Sequence, residues 1–194
     1  MAKGQSAKII LASASPRRKS LLSQAGYEFT VYPSEVDEDG FLTAGIDSVE
    51  YAKRLALEKA RDVAEKFPDA LVIGADTVVD FCGEIIGKAR DAAEAEAITR
   101  KLFSRAHKVI TGVAVVRLAD GVEIVESDTT VVYPKSLTAK QIAEHVAGGS
   151  WEGKAGAYGI QETGDEFVER IEGSLTNVMG FPMELVEKLL KKFA

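Results

Sequence analysis

The chain has 194 residues, 46% of them hydrophobic, with 24 Lys and Arg against 30 Asp and Glu for a net charge of −6. That length supports a sizeable core, and the acidic balance excludes a general nucleic-acid or membrane-surface binder, which needs a net basic face. Cys82 is the single cysteine, so disulfide frameworks and Cys-rich zinc sites are excluded within one chain, and a reducing cytoplasm is the expected compartment.

The polar Met1 to Ala7 segment and the short apolar run after it predict neither a signal peptide nor a membrane span. Lys8-Ile9-Ile10-Leu11-Ala12 reads as a buried strand. Ser15 followed by Pro16 starts a helix that runs to about Ala25, with Gly26 as its stop. Arg17, Arg18 and Lys19 then stand in the first turn, where each cation costs about 0.3–1 kcal/mol if nothing anionic is near. A bound anion offsets that cost. The amides of the helix start, the Ser13 and Ser15 hydroxyls and two guanidinium forks together suit a phosphate or pyrophosphate; the alternative is a solvated basic helix start.

Glu28–Tyr32 alternates as a short strand, and an acidic loop, Glu35-Val36-Asp37-Glu38-Asp39-Gly40, follows. Asp47 and Glu50 predict a capping box for a helix that carries Ala52, Leu55, Ala56, Lys59, Ala60 and Val63 at helical spacing and ends before Pro68. Leu71–Val79 is a buried strand that turns near Cys82-Gly83 into Glu84-Ile85-Ile86 as a hairpin. Asp91 and Glu94 open a helix ending near Phe103, and Lys108–Leu118 and Val122–Tyr133 form two long antiparallel strands. Thr138 and Gln141 make a capping box for a helix stopped by Gly148-Gly149. A glycine loop, a strand around Glu166–Ile171 and a helix after Pro182 complete an α/β domain with a mixed sheet over residues 1–194.

Asp76 lies in a run otherwise suited to full burial, so its carboxylate needs a metal, a cation or a proton, or else caps a backbone turn. Lys88 follows the hairpin and can return to the same end of the sheet; Lys59, among small apolar residues, either snorkels to water or faces a site. Glu38 offers a second carboxylate, and two carboxylates sharing Mg²⁺ suit phosphate chemistry, although alone it reads as part of a solvated loop. In Lys154-Ala155-Gly156-Ala157-Tyr158-Gly159-Ile160-Gln161 the glycines permit close backbone approach, and the Gln161 amide, donor and acceptor at once, matches the edge of uracil or thymine.

Taken in order, Leu11-Ala12-Ser13-Ala14-Ser15-Pro16-Arg17-Arg18, Gly74-Ala75-Asp76-Thr77, Gly87-Lys88, the Lys154–Gln161 loop and Gly180-Phe181-Pro182 resemble the Maf family over nearly the whole chain. The resemblance implies an elongated α/β fold similar to the inosine triphosphate pyrophosphatases, with two lobes around a central cleft, a divalent metal (Mg²⁺ or Mn²⁺), a homodimer and a cytoplasmic location. It further implies hydrolysis of a nucleoside triphosphate to the monophosphate and pyrophosphate, with Asp76 as proton acceptor for the attacking water. Ser13, Arg18, Glu38, Lys59 and Lys88 fall on positions similar to the family's phosphate and metal site, with Glu38 and Asp76 as the metal carboxylates. Arg17, Thr77 and Gln161 match positions linked to base choice and select the branch acting on dTTP and UTP.

Two departures stand out. Ala89 replaces the proline that follows Gly-Lys in the family pattern, and Phe103-Ser104-Arg105 replaces Leu-Ser-Gly. Two other readings compete: cleavage of 7-methylguanosine triphosphate, with Trp151 as an aromatic face for a cationic base, and a non-catalytic nucleotide-sensing regulator of cell division.

Overall fold

The computed structural model describes residues 7–38, 45–160 and 167–193. Seven strands form one mixed sheet: β1 (Ile9–Leu11), β2 (Phe29–Val31), β3 (Leu71–Phe81), β4 (Glu84–Ile86), β5 (His107–Arg117), β6 (Val122–Pro134) and β7 (Val168–Glu172). Their order is β2-β1-β3-β5-β6-β7, with β4 paired to β3. β1 runs parallel to both β2 and β3, and the remaining pairs are antiparallel. The helices are α1 (Pro16–Gln24), α2 (Ser48–Ala64), α3 (Ala92–Leu102), α4 (Ala139–Ala147), α5 (Leu175–Val178) and α6 (Met183–Leu190). No helix among the described residues is long and apolar enough to cross a membrane.

The predicted element boundaries hold to within a residue or two, and the departures have local causes. Ser15 caps α1 through Oγ, with Pro16 in the first turn, and Gly26 follows the helix at φ +81°. Cys82 and Gly83 both take positive φ (56° and 88°), as a two-residue hairpin loop requires. Of the two predicted capping boxes, Thr138–Gln141 closes in both directions. Asp47 accepts from the Glu50 amide at 2.8 Å, but the Glu50 carboxylate turns to Arg54 instead of back to Asp47, because an ion pair one turn along competes for it. The one-turn helix α5 is not foreseen from the sequence: four residues carry too little periodicity to register.

The sheet is covered on both faces. Leu21 and Leu22 of α1 and Val186 and Leu189 of α6 pack with Leu11, Ile73, Ala75 and Val115 on one side. On the other, Ala56, Ala60 and Val63 of α2 pack with Ile10, Val72, Ala114 and Val116. Two glycines set how closely α2 approaches. A Cβ at Gly74 would lie 2.2 Å from the Ala56 carbonyl oxygen, and one at Gly112 would lie 2.2 Å from that of Ala52. Helix backbone therefore rests on strand backbone, nearer than any side chain would allow.

Strand length creates the opening used below. β1 pairs with β3 only as far as Ile73, and the pairing with β4 covers β3 from Val79, opposite Ile86, to Phe81, opposite Glu84. The β3 edge over residues 74–78 thus has no strand beside it, and the N-terminus of α1 sits at this gap, outside the carboxyl end of β1.

Gly112→Ala is expected to destabilise the protein by at least about 1–3 kcal/mol in urea unfolding, since the new methyl meets backbone that cannot rotate away. Gly87→Ala, where the added carbon meets nothing within 4 Å, is the control and should stay within about 0.5 kcal/mol of the parent.

Candidate active site

A cavity of about 450 Å³ opens at the gap in the β3 edge, large enough for a small-molecule ligand. Its polar lining includes Ser13, Ser15, Arg17, Arg18, Glu38, Lys59, Asp76 and Lys88, drawn from the β1–α1 loop, α1, the loop after β2, α2, β3 and the segment after β4. Its apolar lining includes Val79, Val109, Tyr158, Ile160 and Val178, which belong to one packed cluster. Charge and apolar surface thus share one cleft.

Asp76 and Lys59 are both buried, 6% and 7% exposed, and Lys59 Nζ donates to Asp76 Oδ1 at 2.7 Å. The close seating of α2 on Gly74, two residues from Asp76 on the same strand face, brings the two together. The same ammonium lies 2.7 Å from Glu38 Oε1, and Lys88 Nζ lies 2.6 Å from Glu38 Oε2. Asp76, Lys59, Glu38 and Lys88 therefore form a continuous ion-pair chain along the cleft. The sequence left Lys59 between solvent and a site; the structure turns it to the site. Lys88 is held by its neighbours: it bridges Ala155, and the Gly156 amide bonds the Gly87 carbonyl at 2.9 Å. That pairing fixes the chain at Ala89, where proline is absent.

Glu38 responds to both lysines. Partial burial pushes its carboxyl up, but the hydrogen bonds and charges of Lys59 and Lys88 together outweigh this and hold it at about 2, well below its ordinary 4.5. Two carboxylates converging on one ammonium are also a donor set that fits Mg²⁺ or Mn²⁺, with phosphate oxygens and water completing the shell. Among the described residues no group of three or more His, Cys, Asp and Glu side chains does so without substrate.

Arg18 departs from the expected open fork. Its Nε donates to the Gly180 carbonyl at 2.8 Å, Nη1 to Ser13 Oγ at 3.1 Å and to the Ala75 carbonyl at 2.8 Å, and Nη2 to Thr77 Oγ1 at 3.1 Å. Of its five N–H groups, these four bonds leave one. The Ala75 carbonyl lies on the bare β3 edge, so Arg18 supplies there the hydrogen bond that a neighbouring strand would have made. Burial lowers the Arg18 pKa, and Asp76 and Glu38 oppose that shift. Ser13, 8% exposed, also accepts from the Ser15 amide at 3.3 Å. Arg17 lines the cleft, whereas Gln161 lies outside the described residues, as do Asp39 and Gly40 of the acidic loop.

Three residues outside the predicted set support the site. Lys154, 7% exposed at the cleft wall, donates from Nζ to the Ser150 carbonyl; a lysine inside a small-residue loop was its only signal. Tyr158 is backed by His107: Nδ1 faces the Leu102 carbonyl at 3.2 Å and so carries the ring proton, and Nε2, 2.9 Å away, accepts from the Tyr158 hydroxyl. Burial lowers the His107 pKa and raises that of Tyr158, so both stay neutral. Trp151 is buried with Ala95 and Ala157, its Nε1 donating to the Val146 carbonyl at 3.0 Å. Its ring is thus packed into the core, and the argument for a methylated purine that rested on it falls away.

The Glu38 carboxyl gives the site a pH signature. The unfolded chain takes up a proton as pH falls through about 4.5, whereas the folded site resists until about 2. Its contribution to stability is therefore complete above pH 4.5 and lost on descent to pH 2. In metal-free thermal melts, Glu38→Gln should melt below the parent at pH 7, with the gap closing as pH approaches 2. A gap independent of pH would contradict the pairing.

A model of the Maf-like protein family matches residues 8–193. Full-length likeness extends to proteins named dTTP/UTP pyrophosphatase. That of Moorella thermoacetica is 45% identical, covering 96% of this chain and 95% of the relative. That of Symbiobacterium thermophilum is 44% identical, covering 95% and 93%. Among solved structures, the Ham1 protein of Staphylococcus aureus superposes with a TM-score of 0.54 at 13% identity, covering 95% of this chain and 98% of that one, which shows a common fold. With a family match over almost its whole length, the chain belongs to the Maf family.

Proposed function

We propose that this protein hydrolyses nucleoside triphosphates, dTTP and UTP first among them, to the nucleoside monophosphate and pyrophosphate. The observation that carries this reading is the buried Asp76–Lys59 pair, joined through Glu38 to Lys88 in a cleft that opens at the start of α1. The name shared by the relatives supports the same activity.

Triphosphate binds with its β- and γ-phosphates against Lys88, the Arg17 amide at the start of α1 and the remaining Arg18 N–H. The nucleoside lies towards Val109, Tyr158 and Ile160. Lys59 orients the Asp76 carboxylate through a hydrogen bond of 2.7 Å, and that carboxylate accepts a proton from water as the oxygen attacks the α-phosphorus. The P–O bond to the β-phosphate breaks, and pyrophosphate departs with the bond's electron pair. Lys59 and Lys88 stabilise charge gathering on it. Glu38 and Asp76 would hold a divalent cation, which when bound supplies charge neutralisation across the phosphates. Preference for dTTP and UTP is supported by Arg17 and Thr77 at the cleft.

Asp76→Asn is expected to lower kcat for pyrophosphate release from UTP by about 10²–10⁴-fold, with a circular dichroism spectrum like that of the parent because Glu38 still holds Lys59. The parent should cleave UTP and dTTP faster than 7-methylguanosine triphosphate. Near-normal turnover in the Asn variant would remove Asp76 from its role, and the reverse substrate order would remove the pyrimidine assignment.

A further inference from the structure

One wall of the cleft belongs to a turn, from Asn177 to Gly180, whose Val178, Met179 and Gly180 line the cavity. Within the turn the Gly180 amide bonds the Asn177 carbonyl at 2.8 Å. Groups from elsewhere hold both ends: Arg18 Nε donates to the Gly180 carbonyl, the Thr111 hydroxyl donates to the Asn177 carbonyl at 3.4 Å, and Asn177 Nδ2 donates to the Val109 carbonyl and to Thr130 Oγ1, each at 3.0 Å. Thr111 is fully buried on β5, directly opposite Thr77 in the β3–β5 register, with the two hydroxyl oxygens 3.0 Å apart.

Donor accounting gives this chain a direction. Arg18 Nη2 can only donate, so Thr77 Oγ1 accepts from it; the Asn177 carbonyl can only accept, so Thr111 donates to it. The Thr77 proton has two acceptors, Thr111 Oγ1 at 3.0 Å and the Gly180 carbonyl at 3.3 Å, and both serve the same turn. The bonds thus run from a guanidinium at the phosphate-side helix, through two hydroxyls, to the wall beside the apolar lining. Each bond polarises the next.

We propose that Thr111 is a positioning residue for base selection: through its hydroxyl it sets the Asn177–Gly180 wall, and so the width available to the nucleobase. This inference rests on the nucleoside triphosphate reading and concerns how that same cleft chooses a pyrimidine. It also gives Thr77 an indirect action. The Thr77 hydroxyl is already committed to Arg18 on one side and to the turn on the other, so it shapes base choice by holding the wall.

Thr111→Val tests this by keeping the side-chain outline and removing the hydroxyl, a change that is not neutral where a hydroxyl is hydrogen-bonded. Steady-state pyrophosphate release from UTP, CTP and GTP should show KM for UTP raised about five- to twentyfold with kcat within about threefold, the split expected when binding geometry and not chemistry is lost. The UTP-over-GTP ratio of kcat/KM should fall by a similar factor as the wider purine gains entry. Thr111→Ser should restore both quantities.

A purely structural role would lower the melting temperature of Thr111→Val while leaving KM and the ratio as in the parent, and that result overturns the proposal. A Ser variant as impaired as the Val variant overturns it too, since the γ-methyl would then be the operative group. If Thr111→Val does not fold, Thr111→Ala against Thr111→Ser makes the same contrast, both lacking the methyl and differing in the hydroxyl. A parent that releases no pyrophosphate from any nucleotide would sink the proposed function and this inference together. A UTP-selective parent with unaltered Thr111→Val constants would sink this inference alone.

Discussion

β3 is longer than β1 and β4, the two strands that share one of its edges, and the rest of the site follows from the stretch this leaves bare. A buried carbonyl with no partner is costly, so the sheet cannot simply stop pairing at Ile73 and resume at Val79. Arg18 reaches across from α1 to bond the Ala75 carbonyl, and in doing so ties together the first helix, the β3 edge and the Gly180 turn. The guanidinium is a structural member before it is a ligand for anything. Because it fills the edge with one side chain instead of a strand, space remains beside it, and that space is the cleft.

The opposite face of the sheet supplies the second condition. Gly74 and Gly112 allow α2 to settle at backbone contact, which keeps the Lys59 side chain within reach of Asp76 in a region with little water. An isolated carboxylate or ammonium there would be costly; here each faces a partner of opposite charge, and Glu38 and Lys88 extend the pair. Removing one partner of such a buried pair typically costs about 3–5 kcal/mol, so the geometry that suits phosphate chemistry also constrains the fold.

Much of this was legible in the chain. Ser15-Pro16 places the start of α1, Cys82-Gly83 the hairpin and Asp76 an ionised group inside an apolar run, because each signal is local. Side-chain direction was not. Arg17 and Arg18 look equivalent as neighbours and both line the cleft, yet Arg18 turns its guanidinium onto Ala75, Thr77 and Gly180, residues far away in sequence. Thr111 lies in a run of β-branched residues that any buried strand would favour, and only the cross-strand register brings its hydroxyl against Thr77. Trp151 offered a plausible aromatic face until packing against Ala95 and Ala157 gave its ring another purpose.

The ion-pair chain also sets the electrical character of the cleft. Two ammonium groups and two carboxylates cancel, so these four side chains present no surplus attraction to a polyanion. A highly charged guest therefore finds its surplus pull at Arg17, Arg18 and the start of α1, and at the ion-pair chain it has to exchange partners with groups already matched, so loading includes a reshuffling of existing contacts.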